Sequence, residues 1–252
     1  MVRNFLFCLG AFYLISCGQP EVTVDYKDLV QRNDTYFLKF SNEPFAGKTT
    51  GEWQGLIKNG KWEGKVNIYR DDGTLFFEIE YQNGIKHGEF RSWCVNGNPE
   101  IQHQYVDGRK HGLQTVFWCN GSLSSEMHFT AGKITSKEIT GYHKNGQSRL
   151  KFNLKDGLME GRATGHYENG ILMQEAFWQA DLLDGTCKIY EEDGLLNYDL
   201  MFSKGALQQW KRGKAAEKNP FNQFDIIDLN NPSERVLRII KRCSVSRLAF
   251  EE

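Results

Sequence analysis

Proline is scarce in this sequence, with 5 residues in 252, and no charge of one sign dominates, because 31 basic side chains face 32 acidic ones. That balance excludes an electrostatic nucleic-acid binder, which needs a clustered basic excess. Long apolar runs are also lacking: mean hydropathy is −0.55, which argues against a polytopic membrane protein. No Cys-x-x-Cys, Gly-x-Ser-x-Gly or His-Glu-x-x-His is present, so the usual signatures of redox, acyl-transfer and zinc chemistry are missing. The expectation is a chain with no catalytic residue, no metal site and no cofactor.

What the sequence does have is glycine and aromatic side chains: 25 Gly, 17 Phe, 10 Tyr and 6 Trp. Disordered low-complexity chains lack aromatics, so this chain should fold. Abundant Gly with little Pro suggests many tight turns between aromatic strands.

The N-terminus reads as an address. Arg3 precedes a nearly unbroken apolar stretch from Phe5 to Leu14, followed by Leu14-Ile15-Ser16-Cys17-Gly18. A positive start, an apolar run of about ten residues and a small residue before the cut describe a secretory signal. Gln19, Pro20 and Glu21 stop the run short of the roughly 18 apolar residues a membrane span needs. The four residues ending at Cys17 resemble a bacterial lipobox, which implies cleavage before Cys17 and its lipidation. The expected mature protein is a membrane-anchored lipoprotein of the cell envelope, on the outer membrane or the outer face of the inner one.

From Gly60 the chain repeats. Gly60, Gly84, Gly108, Gly132, Gly157, Asp181 and Gly205 open successive rows at steps of 24, 24, 24, 25, 24 and 24 residues. Each row carries an aromatic strand (Tyr69, Trp93, Phe117, Tyr142, His166-Tyr167, Tyr190) and then a turn signal: Asp72-Gly73, Asn96-Gly97, Asn120-Gly121, Asn145-Gly146, Asn169-Gly170 or Asp193-Gly194. A second strand ends at Tyr81, Tyr105, Phe129, Leu154, Trp178 or Phe202, and another turn follows, as in Asn83-Gly84. Asn-Gly and Asp-Gly suit hairpins whose two central residues both take positive φ. Two turns per row leave segments of strand length, which predicts an all-β fold: an elongated antiparallel meander of hairpins.

Tyr81-Gln82-Asn83-Gly84-Ile85-Lys86-His87-Gly88 resembles the MORN repeat, and the second Asn-Gly resembles the bacterial MORN-variant subgroup labelled YwqK-type antitoxins. The resemblance runs from about Tyr36 to Gly205. It implies a scaffold without shared chemistry, with a protein partner that includes, in the antitoxin case, a toxin neutralised by direct binding. Ser136 and Asp181 replace expected glycines and Gly141 an expected aromatic, which predicts looser rows with a bulge or kink.

The expected division is a leader at 1–16, a tether and N-terminal cap at 17–39, the repeat domain at 40–205 with full repeats from about 60, and a C-terminal linker and cap at 206–252. Within the last, Lys211-Arg212-Gly213-Lys214 reads as charged linker, and the stretch after Pro232 to Cys243 as a short amphipathic helix.

Four further readings concern side chains. His87 and His111 share a column but lie two strands apart, about 9.5 Å, too far for one zinc ion. Cys94 and Cys119 are 25 residues apart, one more than the period, so strand alternation puts them on opposite faces and a disulfide needs a bulge. Glu78, Gln102, Glu126, Lys151, Glu175 and Asp199 form a column best read as a solvated stripe. For binding, the tryptophans are the expected anchors, with Trp93, Trp118 and Trp178 chosen as exposed aromatics.

Overall fold

The computed structural model describes residues 22–214 and 241–243. The leader, Cys17 with the first few residues of the expected tether, and the helix expected after Pro232, save Lys241–Cys243, lie outside the described residues. The chain begins with β1 (Thr23–Asp25), a single 3-10 turn at Tyr26–Asp28, and the hairpin β2 (Leu29–Arg32) and β3 (Thr35–Leu38). Then follow β4 (Gly47–Thr50), β5 (Trp53–Lys58), β6 (Lys61–Tyr69), β7 (Leu75–Gln82), β8 (Ile85–Trp93), β9 (Pro99–Val106), β10 (Arg109–Phe117) and β11 (Leu123–Thr130). The second half holds β12 (Lys133–Ile134), β13 (Glu138–Tyr142), β14 (Ser148–Lys155), β15 (Leu158–His166), β16 (Leu172–Gln179), β17 (Leu182–Tyr190), β18 (Leu196–Ser203) and β19 (Ala206–Arg212).

Seventeen of these strands form one sheet, with β2 and β3 as a separate hairpin. From β4 onward each strand pairs antiparallel with its sequence neighbour, except that β12 and β13 both pair with β11, while β1 lies parallel to β4. The predicted all-β meander is present, with extensive strand contacts made between sequence neighbours.

The two turn columns differ. At the row openings both central residues have positive φ, as at Asn83 (+50°) and Gly84 (+79°) or Asp107 (+49°) and Gly108 (+76°). At the second column only the glycine does, as at Gly97 (+82°). There the chain makes a three-residue loop with a bulge, in which Cys94 N–H donates to Asn98 O and Gly97 N–H to Cys94 O. The Asx side chain closes the loop by accepting the N–H two residues on, for instance Asn120 Oδ1 from Ser122 at 3.0 Å.

The same asparagines also join rows. Asn96 donates through Nδ2 to Cys119 O, Asn120 to Lys144 O at 3.0 Å, Asn145 to Glu168 O at 2.7 Å and Asn169 to Glu192 O at 3.4 Å. An aspartate has no such donor. Asp193 stands in the last row, and at Asp72 the link comes instead from Arg70, whose Nη2 donates to Trp93 O. Asn120→Asp or Asn145→Asp is therefore expected to cost about 1 kcal/mol each, read as a drop of about 2–4 °C in melting temperature. Asp193→Asn should leave the melt unchanged; equal losses at all three positions would remove the row-joining role.

Opposite these loops, the row-opening glycine N–H reaches back to the preceding row, as from Gly84 to Trp62 O and from Gly108 to Lys86 O, both at 2.8 Å. A second cross-row bond caps the turn: Asn83 N–H donates to Glu63 Oε2 at 2.8 Å, and Asp107 N–H to His87 Nδ1 at 3.5 Å. His87 is thus a turn cap. Between the two turn columns, the second glycine of each row marks a slip in register, as around Gly88 (φ +102°), where the pairing jumps between Ile79 and Tyr81.

The row with 25 residues is the irregular one. With Ser136 in the glycine position, its first strand breaks into β12 and β13, and Ser136 Oγ accepts His128 N–H at 2.7 Å. The expected kink takes this form. At the far end the repeat does not stop at Gly205. Lys204 and Gly205 make one more two-residue turn, and β19 completes a hairpin with β18, so Lys211 and Arg212 belong to a strand and not to a linker.

Cys94 and Cys119 are bonded to each other, with Cα atoms 5.7 Å apart. The alternation argument failed because both residues sit in loops. Register slips at Ser92/Trp93 and Val116/Phe117 precede them, and Cys119 stands one place further into its loop than Cys94 does. A second disulfide joins Cys187 to Cys243 and pins the helical Lys241–Cys243 turn to the sheet.

Two separate apolar clusters result. The N-terminal one gathers Leu29, Tyr36, Phe45, Ile57, Trp62, Val66, Ile68 and Ile79. The C-terminal one includes Met127, Ile139, Phe152, Met159, Trp178, Leu183, Cys187, Ile189, Leu200, Phe202 and Cys243.

Candidate binding surface

Both clusters lie on one face of the sheet, and three of its inward columns can be followed row by row. The first runs Trp62, Lys86, Lys110, Ile134, Met159, Leu183 and Leu207 at the row spacing. The second runs Ile79, His103, Met127, Phe152, Ala176 and Leu200, and the third Val66, Phe90, Gln114, Ile139, Ala163 and Cys187. The second and third interleave by register: Val66 pairs with Ile79, Ile79 with Phe90, Phe90 with His103, and Gln114 with Met127. Polar side chains enter these columns at Lys86, His103, Lys110 and Gln114, between the two clusters.

The four residues make a connected patch. His103 is 7 % exposed, stacked 4.4 Å from the Phe90 ring and edge-on to Tyr105 at 4.8 Å. Lys110 Nζ donates to Gln114 Oε1 at 2.7 Å and lies 5.3 Å from the Phe129 ring centre. Lys86 Nζ sits 5.2 Å over the Tyr105 ring. Neither lysine forms an ion pair with a carboxylate among the described residues. Burial, and then the nearby Lys86, hold the Lys110 ammonium below the usual lysine range.

Burial first, then Lys110 and Lys86, push the His103 imidazole down to about 4. It is neutral at pH 7, and neither ring nitrogen has a partner among the described residues. A histidine with a depressed value leaves stability intact above its unfolded value of about 6.5 and withdraws it as pH falls from there towards 4. Stability should therefore decline between pH 6.5 and pH 4 by an amount that His103→Phe abolishes, read from urea midpoints across that interval. An unchanged slope in the variant would remove His103 as the source.

The opposite face is charged and balanced. Glu78 has Lys65 at 2.9 Å and Arg91 at 3.9 Å, Lys151 pairs with Glu138 at 2.8 Å, and Asp199 pairs in register with Lys188 on one side and Lys211 on the other. The acidic column is thus interleaved with cations across the strands.

The tryptophans expected as exposed anchors are not one surface. Trp178 is only 7 % exposed and belongs to the C-terminal cluster, because its column faces inward. Trp93 and Trp118 are half-buried beside the loops, and Trp118 Nε1 donates to Tyr142 O at 3.0 Å, another bond between rows. His143 does the same work through Nε2 and His166 O, 2.7 Å apart. Only Cys94, Glu100 and Cys119 lie close enough together for a metal among the described residues, and there the two sulfurs are bonded to each other. The signal that marks Lys86, His103, Lys110 and Gln114 is visible once rows are stacked: polar residues standing in otherwise apolar columns.

No curated protein matches the chain. A family model described as the MORN repeat variant matches residues 159–180, the span from β15 through β16 to its closing turn. Residues 159–180 are a MORN repeat variant, set in a sheet of repeated hairpins of the same design.

Proposed function

We propose that this protein is a non-enzymatic repeat scaffold that binds a protein partner through the inner face of its second and third rows. Repeats of the MORN type commonly mediate protein or membrane binding. The observation that carries the reading is the pair Lys86 and Lys110, two half-buried ammonium groups set among Phe90, Tyr105 and Phe129 with no carboxylate partner among the described residues. Aromatic rings supply contact area at low entropic cost, and partly desolvated cations reward an acidic complement. The partner is thus expected to present carboxylates beside an apolar patch. The lipobox-like start supports attachment at Cys17 to the bacterial cell envelope, which would hold this face at a membrane surface outside the cytoplasm.

Cross-linking of the anchored full-length protein, followed by identification of captured proteins, tests this. Lys86→Glu combined with Lys110→Glu should reduce capture at least tenfold, while Lys65→Glu on the opposite face should leave it unchanged. Undiminished capture by the double variant would overturn the assignment of the surface. A captured toxin that is inhibited on binding would add the antitoxin role implied by the family resemblance.

A further inference from the structure

The hairpin β2–β3 folds down against the first row and leaves a cleft of about 380 Å³ beside it. Its seating is tight: Tyr36 N–H donates to Gly60 O at 2.8 Å, and a Cβ on Gly60 (φ +72°) would stand 2.3 Å from Thr35 Cγ2. Tyr36, Trp53, Trp62 and Tyr81 line the cleft. Trp53 stacks on Trp62 at 6.1 Å and 24° and on Tyr26 at 5.3 Å, while Tyr36 is edge-on to Trp62 at 5.5 Å. Gln31, Asp34, Lys61 and Asn83 are the polar lining, and none of the side chains of Gln31, Asp34 and Asn83 has a partner among the described residues. Asp34 is presented by the hairpin turn itself, where Asn33 and Asp34 both take positive φ.

We propose that this cleft is a carbohydrate site, sized for one pyranose ring or the end of a short glycan. Trp53 and Tyr81, half-buried over the packed Tyr36 and Trp62, accept the C–H faces of a sugar, and the free amides and carboxylate accept and donate to its hydroxyls. The volume falls within the range usual for small-molecule pockets. A quaternary ammonium would also suit aromatic walls and a carboxylate. The ammonium carries no hydrogen-bonding group, however, and would leave Gln31 and Asn83 without partners. A sugar supplies both donors and acceptors.

The test is a titration of the full-length protein, followed by tryptophan fluorescence and calorimetry. The probes are glucose, galactose, N-acetylglucosamine and the β-1,4-linked disaccharides of glucose and N-acetylglucosamine, with choline chloride as the competing chemistry. A saturable change with at least one sugar is expected, weakened tenfold or more by Trp53→Ala. Gln31→Ala combined with Asp34→Ala, which touches no buried side chain, should weaken it equally. Lys110→Glu, one row further from the cleft, should leave it unchanged, which separates this site from the inner-face surface. Saturation by choline alone, no saturable response to any of the sugars, or sugar binding that survives the Gln31/Asp34 variant would each overturn the proposal.

Discussion

Trp178→Ala is expected to lower the unfolding free energy by about 3–5 kcal/mol, the usual cost of truncating a large buried aromatic. Trp178 is 7 % exposed and pairs in register with Gly161 on one side and Leu183 on the other, inside the C-terminal cluster. Gly161 offers no side chain to collapse into the space left behind. The loss should also be local, because the two clusters are separate and the strands contact mainly their neighbours in sequence. Amide exchange should accelerate across β14–β18 while β5–β7 keep their protection, and urea unfolding should become biphasic. Trp118→Ala, at a half-buried loop position, should cost only about 1 kcal/mol through its bond to Tyr142 O. A uniform loss of protection along the sheet, or a Trp178 effect no larger than that of Trp118, would contradict the two-cluster account.

Cys243→Ala is expected to have an effect of similar size by a different route. The Cys187–Cys243 bond spans 56 residues of sequence, and closing a loop of that length restricts the unfolded chain by about 4 kcal/mol in the chain-entropy model. Both sulfurs are fully buried, so the bond also secures packing within the C-terminal cluster. The variant should melt earlier under oxidising conditions, and adding reductant to the wild type should close most of the gap between the two proteins. Cys94–Cys119 spans only 25 residues and has Cys119 exposed at a loop, so Cys119→Ser should shift the melt less. Equal melting of the Cys243 variant and the oxidised wild type would show that the bond adds nothing to stability.

The period was legible because one turn column is always Asn-Gly or Asp-Gly and the other keeps its glycine in every row but that of Asp181, and the all-β architecture followed from it. The two turn columns looked alike, however, and only the row-opening one places both central residues at positive φ. The other needs one αL glycine after an Asx that accepts the N–H two residues on. Which aromatics face inward was not legible, since the register slip at Gly88 and its equivalents interrupts strict alternation within a strand; Trp178 was misplaced for that reason. Cys94 and Cys119 met because loop residues follow no alternation. β19 was read as linker because Lys211 and Arg212 end it, although its turn at Lys204-Gly205 carries the same backbone geometry as the earlier rows. Lys86, His103, Lys110 and Gln114 become visible by comparing each column with itself, a comparison that weighs departures from the repeat instead of the repeat.

The asparagine bonds between loops bear on how such a chain changes length over evolution. Each of the four asparagine loops presents the same donor to the row after it, and the loops that follow present the same acceptor to the row before them. Copying one 24-residue stretch of coding sequence therefore inserts a unit whose two borders already match its neighbours. A single inserted codon has no such match, and the 25-residue row shows the outcome in its divided strand. Proteins built this way should differ from their descendants and ancestors in whole rows, with both ends, the N-terminal hairpin and the disulfide-pinned segment, carried along unaltered.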